Sequence, residues 1–139
     1  LKFLHFYWEL AVIVDRDPRD YYIENVLKWG EKYLPHDLDT FIKVFKSLRK
    51  KLSDEEQSLN VLRIKMEDMI YKYDEFSKKI NTFIGIDPTH HIFPKRNFNP
   101  SVSINNTQLW RKRKVDMDII HRIEDELADY CYDFENIKP

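Results

Sequence analysis

The stretch Val12-Ile13-Val14-Asp15-Arg16-Asp17-Pro18-Arg19-Asp20 decides how this chain folds. The run Ala11 to Val14 is apolar, mostly β-branched and free of polar alternation, which predicts a fully buried strand. Pro18 fixes its own φ and biases Asp17 away from helix, so the chain must leave the strand there. A new apolar pattern starts at Tyr21, with Asp17 or Asp20 placed to cap the helix. Strand, turn and helix start set Arg16 and Arg19 at the carboxyl end of the strand, where ligands bind in open α/β sheets. Two guanidiniums beside a helix N-terminus suit an anion, phosphate above all.

Outward from that turn, a helix is expected from about Asp20 to Trp29, closed by Gly30, and Leu1 to Tyr7 reads as the end of an earlier helix. Leu38, Phe41, Phe45, Leu48 and Leu52 recur at spacings of three and four, one face of an amphipathic helix with Lys43, Lys46, Arg49 and Lys50 in solvent. Ser53-Asp54-Glu55-Glu56 has capping-box form and predicts a further short helix. Leu59 to Lys65 reads as a second strand ending at Met66-Glu67-Asp68, whose two acids are placed to cap the next helix. Asp74 then caps a helix carrying Phe76, Ile80, Phe83 and Ile84 inward, stopped by Gly85. The long helical link between the strands predicts parallel pairing through a crossover. Pro88 to Lys114 has almost no apolar period and is expected to be a functional or disordered loop. Asp116 to Phe134 predicts a last helix, with Ile120, Ile123, Leu127 and Phe134 on one face and Glu124, Asp125, Glu126 and Asp129 in solvent.

Length and composition bound what this pattern can do. The 139 residues make one domain, and 42% hydrophobic with 14% aromatic content suffices for a core. A formal charge of −1 gives no global attraction for nucleic acid or an anionic membrane, and the basic run Arg111-Lys112-Arg113-Lys114 leads straight into an acid-rich helix that neutralises it. No apolar run approaches the roughly 18 residues of a membrane span. Leu1 to Leu10 contains Lys2, His5 and Glu9 and lacks a cleavage signature, so it is not read as a signal peptide. Cys131, the single cysteine, excludes an internal disulfide and reads as a buried thiol in a helical pattern. His90-His91 lacks a third ligand at metal spacing, and His121 lacks a partner for general-base work. Asn105-Asn106-Thr107 is a glycosylation sequon, meaningful only in a secretory compartment. Gly30 and Gly85 are the only glycines, which excludes a glycine-rich phosphate loop.

VIVDRDPRDYYIEN resembles the second nucleotide-binding segment of the sulfotransferases that use 3′-phosphoadenosine 5′-phosphosulfate. In that family a strand leads into an R-D-P-R-D or R-N-P-K-D turn, whose arginine and a serine eight residues later hold the 3′-phosphate. Arg16 matches the arginine, and Glu24, followed by Asn25, stands where the serine would be. The second strand resembles the one that enters a Y-E-D or F-E-D turn, with Met66 at the aromatic position near the adenine; taken by itself, Met66 reads first as core. Asn81-Thr82-Phe83-Ile84-Gly85-Ile86-Asp87 resembles the closing F-L-G-I segment. Phe98-Asn99-Pro100, Ser103, Asn106, Trp110 and Arg111 match, in order, a loop that folds back over the nucleotide in bacterial-type members. Ser103, Ile104 and Asn105 replace the R-K-G of the cytosolic animal enzymes.

The resemblance spans Val12 to Phe134 and implies an α/β fold, a partial parallel sheet flanked by helices. That is the P-loop-containing nucleotide hydrolase-like sulfotransferase fold without its N-terminal phosphate-loop part, so the chain is expected to be its C-terminal portion and inactive alone. It implies sulfuryl transfer to a hydroxyl or amine, on a small molecule or carbohydrate, in the cytoplasm or, for a eukaryotic protein, the Golgi lumen. The residues implied on the nucleotide are Arg16, Arg19, Glu24, Met66, Ser103, Asn105, Asn106 and Arg111, with Arg19 equally able to pair with Asp15 or Asp20. Lys95 and Arg96 are further cations near the phosphate-covering loop. Two alternatives stand beside this: a helical interaction module docking through the Leu38 to Leu52 face, and a non-catalytic nucleotide- or partner-binding relic of the same fold.

Overall fold

A computed structural model describes residues 10–26, 37–56, 60–90 and 95–137, with the side chains of 55, 56 and 88 left aside. The expected elements at Leu1 to Tyr7, Trp29 and Gly30 lie outside the described residues, as do Leu59 and His91. The fold is α/β. Strands β1 (Leu10–Asp15) and β2 (Asn60–Lys65) pair in parallel from Leu10↔Asn60 to Asp15↔Lys65. Helices α1 (Pro18–Glu24), continued through Asn25 and Val26 in a wider turn, and α2 (Leu38–Glu56) lie between them in sequence, the long link that parallel strands require. Helices α3 (Met66–Tyr71), α4 (Tyr73–Ile84), α5 (Pro100–Ser103), α6 (Leu109–Lys112) and α7 (Met117–Glu126) follow.

The core is built by helices. Tyr22 and Ile23 of α1 meet Phe41, Ile42 and Phe45 of α2, with Leu109 of α6, Ile120 and Ile123 of α7 and Leu127 closing it. Edge-to-face packing of Tyr22 on Phe41 at 5.0 Å and of Phe45 on Tyr130 at 5.4 Å carries it toward the strand ends. Phe41 and Phe45 are thus spent on the chain's own core, so of the face expected to dock between Leu38 and Leu52 only the Leu48 and Leu52 end is left outside it. The strands are not fully buried as expected: Val12 is 37% and Val14 52% exposed, because no described layer covers that side of β1.

Several local expectations give way to packing. Ser53 to Glu56 starts no new helix; these residues are the last turn of α2, since neither proline nor glycine interrupts the helix before them. In the same helix Leu48 is 46% exposed and Arg49 turns in toward Asp15, so Arg49 is not the solvated cation its spacing predicts. Lys72, not Asp74, occupies the N-cap of α4, and Asp74 lies in its first turn. The run from Pro88 to Lys114 holds short pieces rather than a bare loop: a 3-10 turn at Pro88–His90, α5, a second 3-10 turn at Ile104–Asn106, and α6. Each is about one turn, too short to write a 3.6-residue period into the sequence. Helix α7 ends at Glu126, so Phe134 is not on it but packs edge-on against Tyr132, 5.0 Å away.

Gly85 closes α4 at φ 74°, its own N–H reaching the Thr82 carbonyl and the Ile86 N–H that of Asn81. No atom lies within 4 Å of where a Cβ would stand, so only backbone strain opposes a side chain. Gly85→Ala is expected to cost about 1 kcal/mol, read as a lower urea midpoint with an unchanged slope.

Candidate anion-binding turn between β1 and α1

Asp17, Pro18, Arg19 and Asp20 are all buried, so the turn is a packed electrostatic junction rather than an open loop. Asp17 is the cap that the sequence left open between two candidates: its Oδ1 accepts the Arg19 backbone N–H at 2.8 Å, and Pro18 takes the first helical position, where a missing N–H costs nothing. Asp20 instead caps α6, accepting the Gln108 and Leu109 backbone N–H groups at 2.7 and 2.6 Å. One short turn therefore nucleates its own helix and anchors the proline-punctuated segment 88 residues on.

Arg19 belongs to this junction and not to an open phosphate site, a correction to the two-arginine expectation. Its Nε and Nη2 donate to the two Asp17 oxygens at 3.0 and 2.6 Å, Nη1 donates to Glu124 at 2.6 Å and Nη2 also to the Tyr132 carbonyl at 2.8 Å. The guanidinium lies 4.7 Å from the Trp110 ring centre and 5.7 Å from that of Phe134. Burial works against its charge, but the hydrogen bonds to Asp17 and Glu124 prevail and hold it protonated. Neither Asp15 nor Asp20 is its partner, and Glu124 is not purely solvent-facing.

Arg16 stays at the edge. Its guanidinium pairs with Glu24 and donates to the Asn106 carbonyl at 2.7 Å, so the structure brings Arg16, Glu24 and Asn106 together at the tip of β1. Its pKa is lowered by burial, against the opposing pull of Asp20, Glu67 and Asp17. Met66 borders, with Arg16, Tyr21, Leu48 and Leu52, an apolar cleft of about 440 Å³. Ser103 is half-buried in α5 and Asn105 is exposed. Arg111 lies apart from Arg16's pairing: it is exposed, stacks 4.5 Å from the Trp110 centroid and binds Gln108 at 3.0 Å and Glu135 at 3.4 Å.

Glu67 is the residue whose role the sequence concealed. Expected as a helix cap, it is fully buried and reaches back to the turn, its Oε1 accepting the Asp17 backbone N–H at 3.0 Å while its Oε2 has no hydrogen-bond partner. Burial pushes its pKa up to about 7, helped by the negative Asp17 and Asp20 and opposed by the Asp17 N–H. Asp68 instead takes the Tyr132 hydroxyl at 2.8 Å.

Comparison with family models, curated proteins and solved structures finds no match. Among the described residues no His, Cys, Asp and Glu cluster could hold a metal ion, and no helix is long and apolar enough to cross a membrane. His90 and His121 are exposed. Cys131 follows a 3-10 turn rather than sitting in a helix, and burial pushes its thiol up to about 11, far from a reactive thiolate. The sequence reading also missed a second cleft of about 280 Å³ at the carboxyl ends of both strands, walled by Arg16, Arg49, Arg63 and Lys65 with Asp15 and Asp129. Arg63 and Lys65 two residues apart on one strand were its only signal, since such residues share a face.

Proposed function

We propose that this chain forms the 3′-phosphate and adenosine side of a sulfotransferase site. The enzyme would move the sulfuryl group of 3′-phosphoadenosine 5′-phosphosulfate to a hydroxyl or amine, on a carbohydrate by the family likeness. Arg16 is the observation that supports this reading: it stands at the tip of β1, touches Asn106 in the proline-punctuated segment and borders the apolar cleft. An adenine laid in that cleft meets the Met66 thioether, and a phosphate on its ribose meets Arg16. The donor set suits an oxyanion because it already binds one, the Glu24 carboxylate. In the transfer the acceptor oxygen or nitrogen bonds sulfur and gives its proton to a base, the bridge from sulfur to the 5′-phosphate breaks, and adenosine 3′,5′-bisphosphate leaves. With Gly30 and Gly85 the only glycines, these residues are assigned binding and not the 5′-phosphate cradle.

Glu24 favours a second reading, a relic that binds without transferring, because its carboxylate competes with phosphate for Arg16. Calorimetry with adenosine 3′,5′-bisphosphate tests both. Arg16→Ala is expected to weaken binding by roughly 10- to 150-fold, the worth of a charge-assisted guanidinium–phosphate contact. Glu24→Ser is expected to tighten it several-fold. Binding indifferent to both substitutions removes the site. Transfer of label from radiolabelled donor by the protein as the cell makes it separates enzyme from relic.

A further inference from the structure

A third cleft, of about 230 Å³, lies between one face of α4 and the chain from Lys95 to Phe98. Tyr73, Ser77 and Asn81 follow one another at intervals of four, so they line the helix wall together, and Met69 and Ile80 add apolar surface. The rings of Tyr73 and Phe98 are 6.3 Å apart, centre to centre, and within 11° of parallel. Lys95 ties the two walls together. Its backbone takes φ 66°, a left-handed conformation uncommon outside glycine, and its N–H donates to the Tyr73 hydroxyl at 3.3 Å. The Lys95 ammonium lies 5.6 Å from the centre of the Tyr73 ring. That ammonium makes no ion pair among the described residues, and no acid is among the described residues that line the cleft. Arg96 borders the cleft as well but has an interaction of its own, so the charge offered to a ligand is that of Lys95.

We infer that this cleft binds a small aromatic acid, its single planar ring against Tyr73 and Phe98 and its carboxylate on the Lys95 ammonium. Two near-parallel rings beside a thioether and a branched aliphatic chain make a wall that a flat ring covers better than a puckered one. One ammonium without a counter-ion matches one negative charge, that of a carboxylate rather than of a dianionic phosphate. The volume falls below the roughly 300 Å³ at which pockets for larger organic ligands begin, which suits one ring with a short substituent. None of the residues lining this cleft borders either cleft at the tip of β1, which keeps it apart from the nucleotide reading.

Benzoate, benzamide and cyclohexanecarboxylate, each titrated into the full chain and followed by the backbone amide resonances of Ser77, Asn81 and Phe98, test it. Saturable binding of benzoate is expected, about threefold or more tighter than that of uncharged benzamide and of the puckered, non-aromatic acid. Lys95→Gln is expected to erase the preference over benzamide, and Phe98→Leu the preference over cyclohexanecarboxylate. Ser77→Leu fills the cleft from the helix wall. It is expected to abolish benzoate binding and to leave adenosine 3′,5′-bisphosphate binding unchanged, so the two sites can fail separately. Should Phe98→Leu fail to fold, the exposed Lys95 and the half-buried Ser77 still decide through their own variants. No saturable benzoate binding, equal affinities for the three probes, or benzoate binding that survives Ser77→Leu overturns the inference.

Discussion

Arg19→Met is expected to destabilise the protein by about 3–5 kcal/mol, the cost of stranding buried charge when one partner of an ion pair is removed. The substitution keeps some of the side chain's bulk between Trp110 and Phe134, so loss of the charge, not a cavity, is what is read. It leaves the Asp17 carboxylate, itself fully buried, with only the Arg19 and Tyr132 backbone N–H groups as donors. It also releases Glu124 and the Tyr132 carbonyl, so α7 and the segment after it lose their tie to the β1–α1 turn. At this chain length the loss corresponds to a fall in Tm of about 10 °C or more, measured by circular dichroism. Arg19→Lys keeps the charge but not the fork and is expected to lie between the two. Combining Arg19→Met with Asp17→Asn should recover part of the loss, because the second change neutralises the stranded carboxylate. A melting temperature unchanged in Arg19→Met shows that the junction does not hold the fold.

The second large effect is on pH. Glu67 titrates near 7 in the folded chain and at its ordinary value of 4.5 when unfolded, so over that window the folded state keeps a proton that the unfolded state has released. Stability is therefore fully present below about 4.5 and falls as pH rises through about 7, by about 3 kcal/mol in total. The sign is opposite to that of a salt-bridged carboxylate. Asp20, whose pKa burial also raises, with Asp17 adding to it, contributes in the same direction. Glu67→Gln removes the titration while its side-chain oxygen can still accept the Asp17 N–H. Its amide would also face the negative Asp17 and Asp20 where Oε2 stands unpartnered. The variant is expected to match the wild type at pH 5 and to exceed it by about 1–3 kcal/mol at pH 8 in urea unfolding. A wild type more stable at pH 8 than at pH 5, with Glu67→Gln parallel to it, removes Glu67 as the source.

What could be read along the chain was what a few neighbouring residues settle among themselves. Val12 to Pro18 wrote a strand, an exit and a helix start, because β-branching, a fixed proline φ and a capping carboxylate act within one turn of their own position. Phe41 and Phe45 marked the buried face of α2, Gly85 the end of α4, and the long helical link the parallel pairing of the strands. Arg16 was legible as the cation at the strand tip; that its partners are Glu24 and the Asn106 carbonyl was not.

Only the tertiary structure chose the partners of the charges. Arg19 finds the Tyr132 carbonyl 113 residues away, Glu67 the Asp17 N–H across 50, and Arg49 leaves the solvent face its spacing predicts to meet Asp15. Phe134 leaves the helix its spacing placed it on for a cluster with Tyr71 and Tyr132. Backbone preference is local, fixed by sterics over three or four residues. A buried charge must take whatever counter-charge or hydrogen-bonding group the folded chain brings within reach, and that choice exists only once distant segments have met.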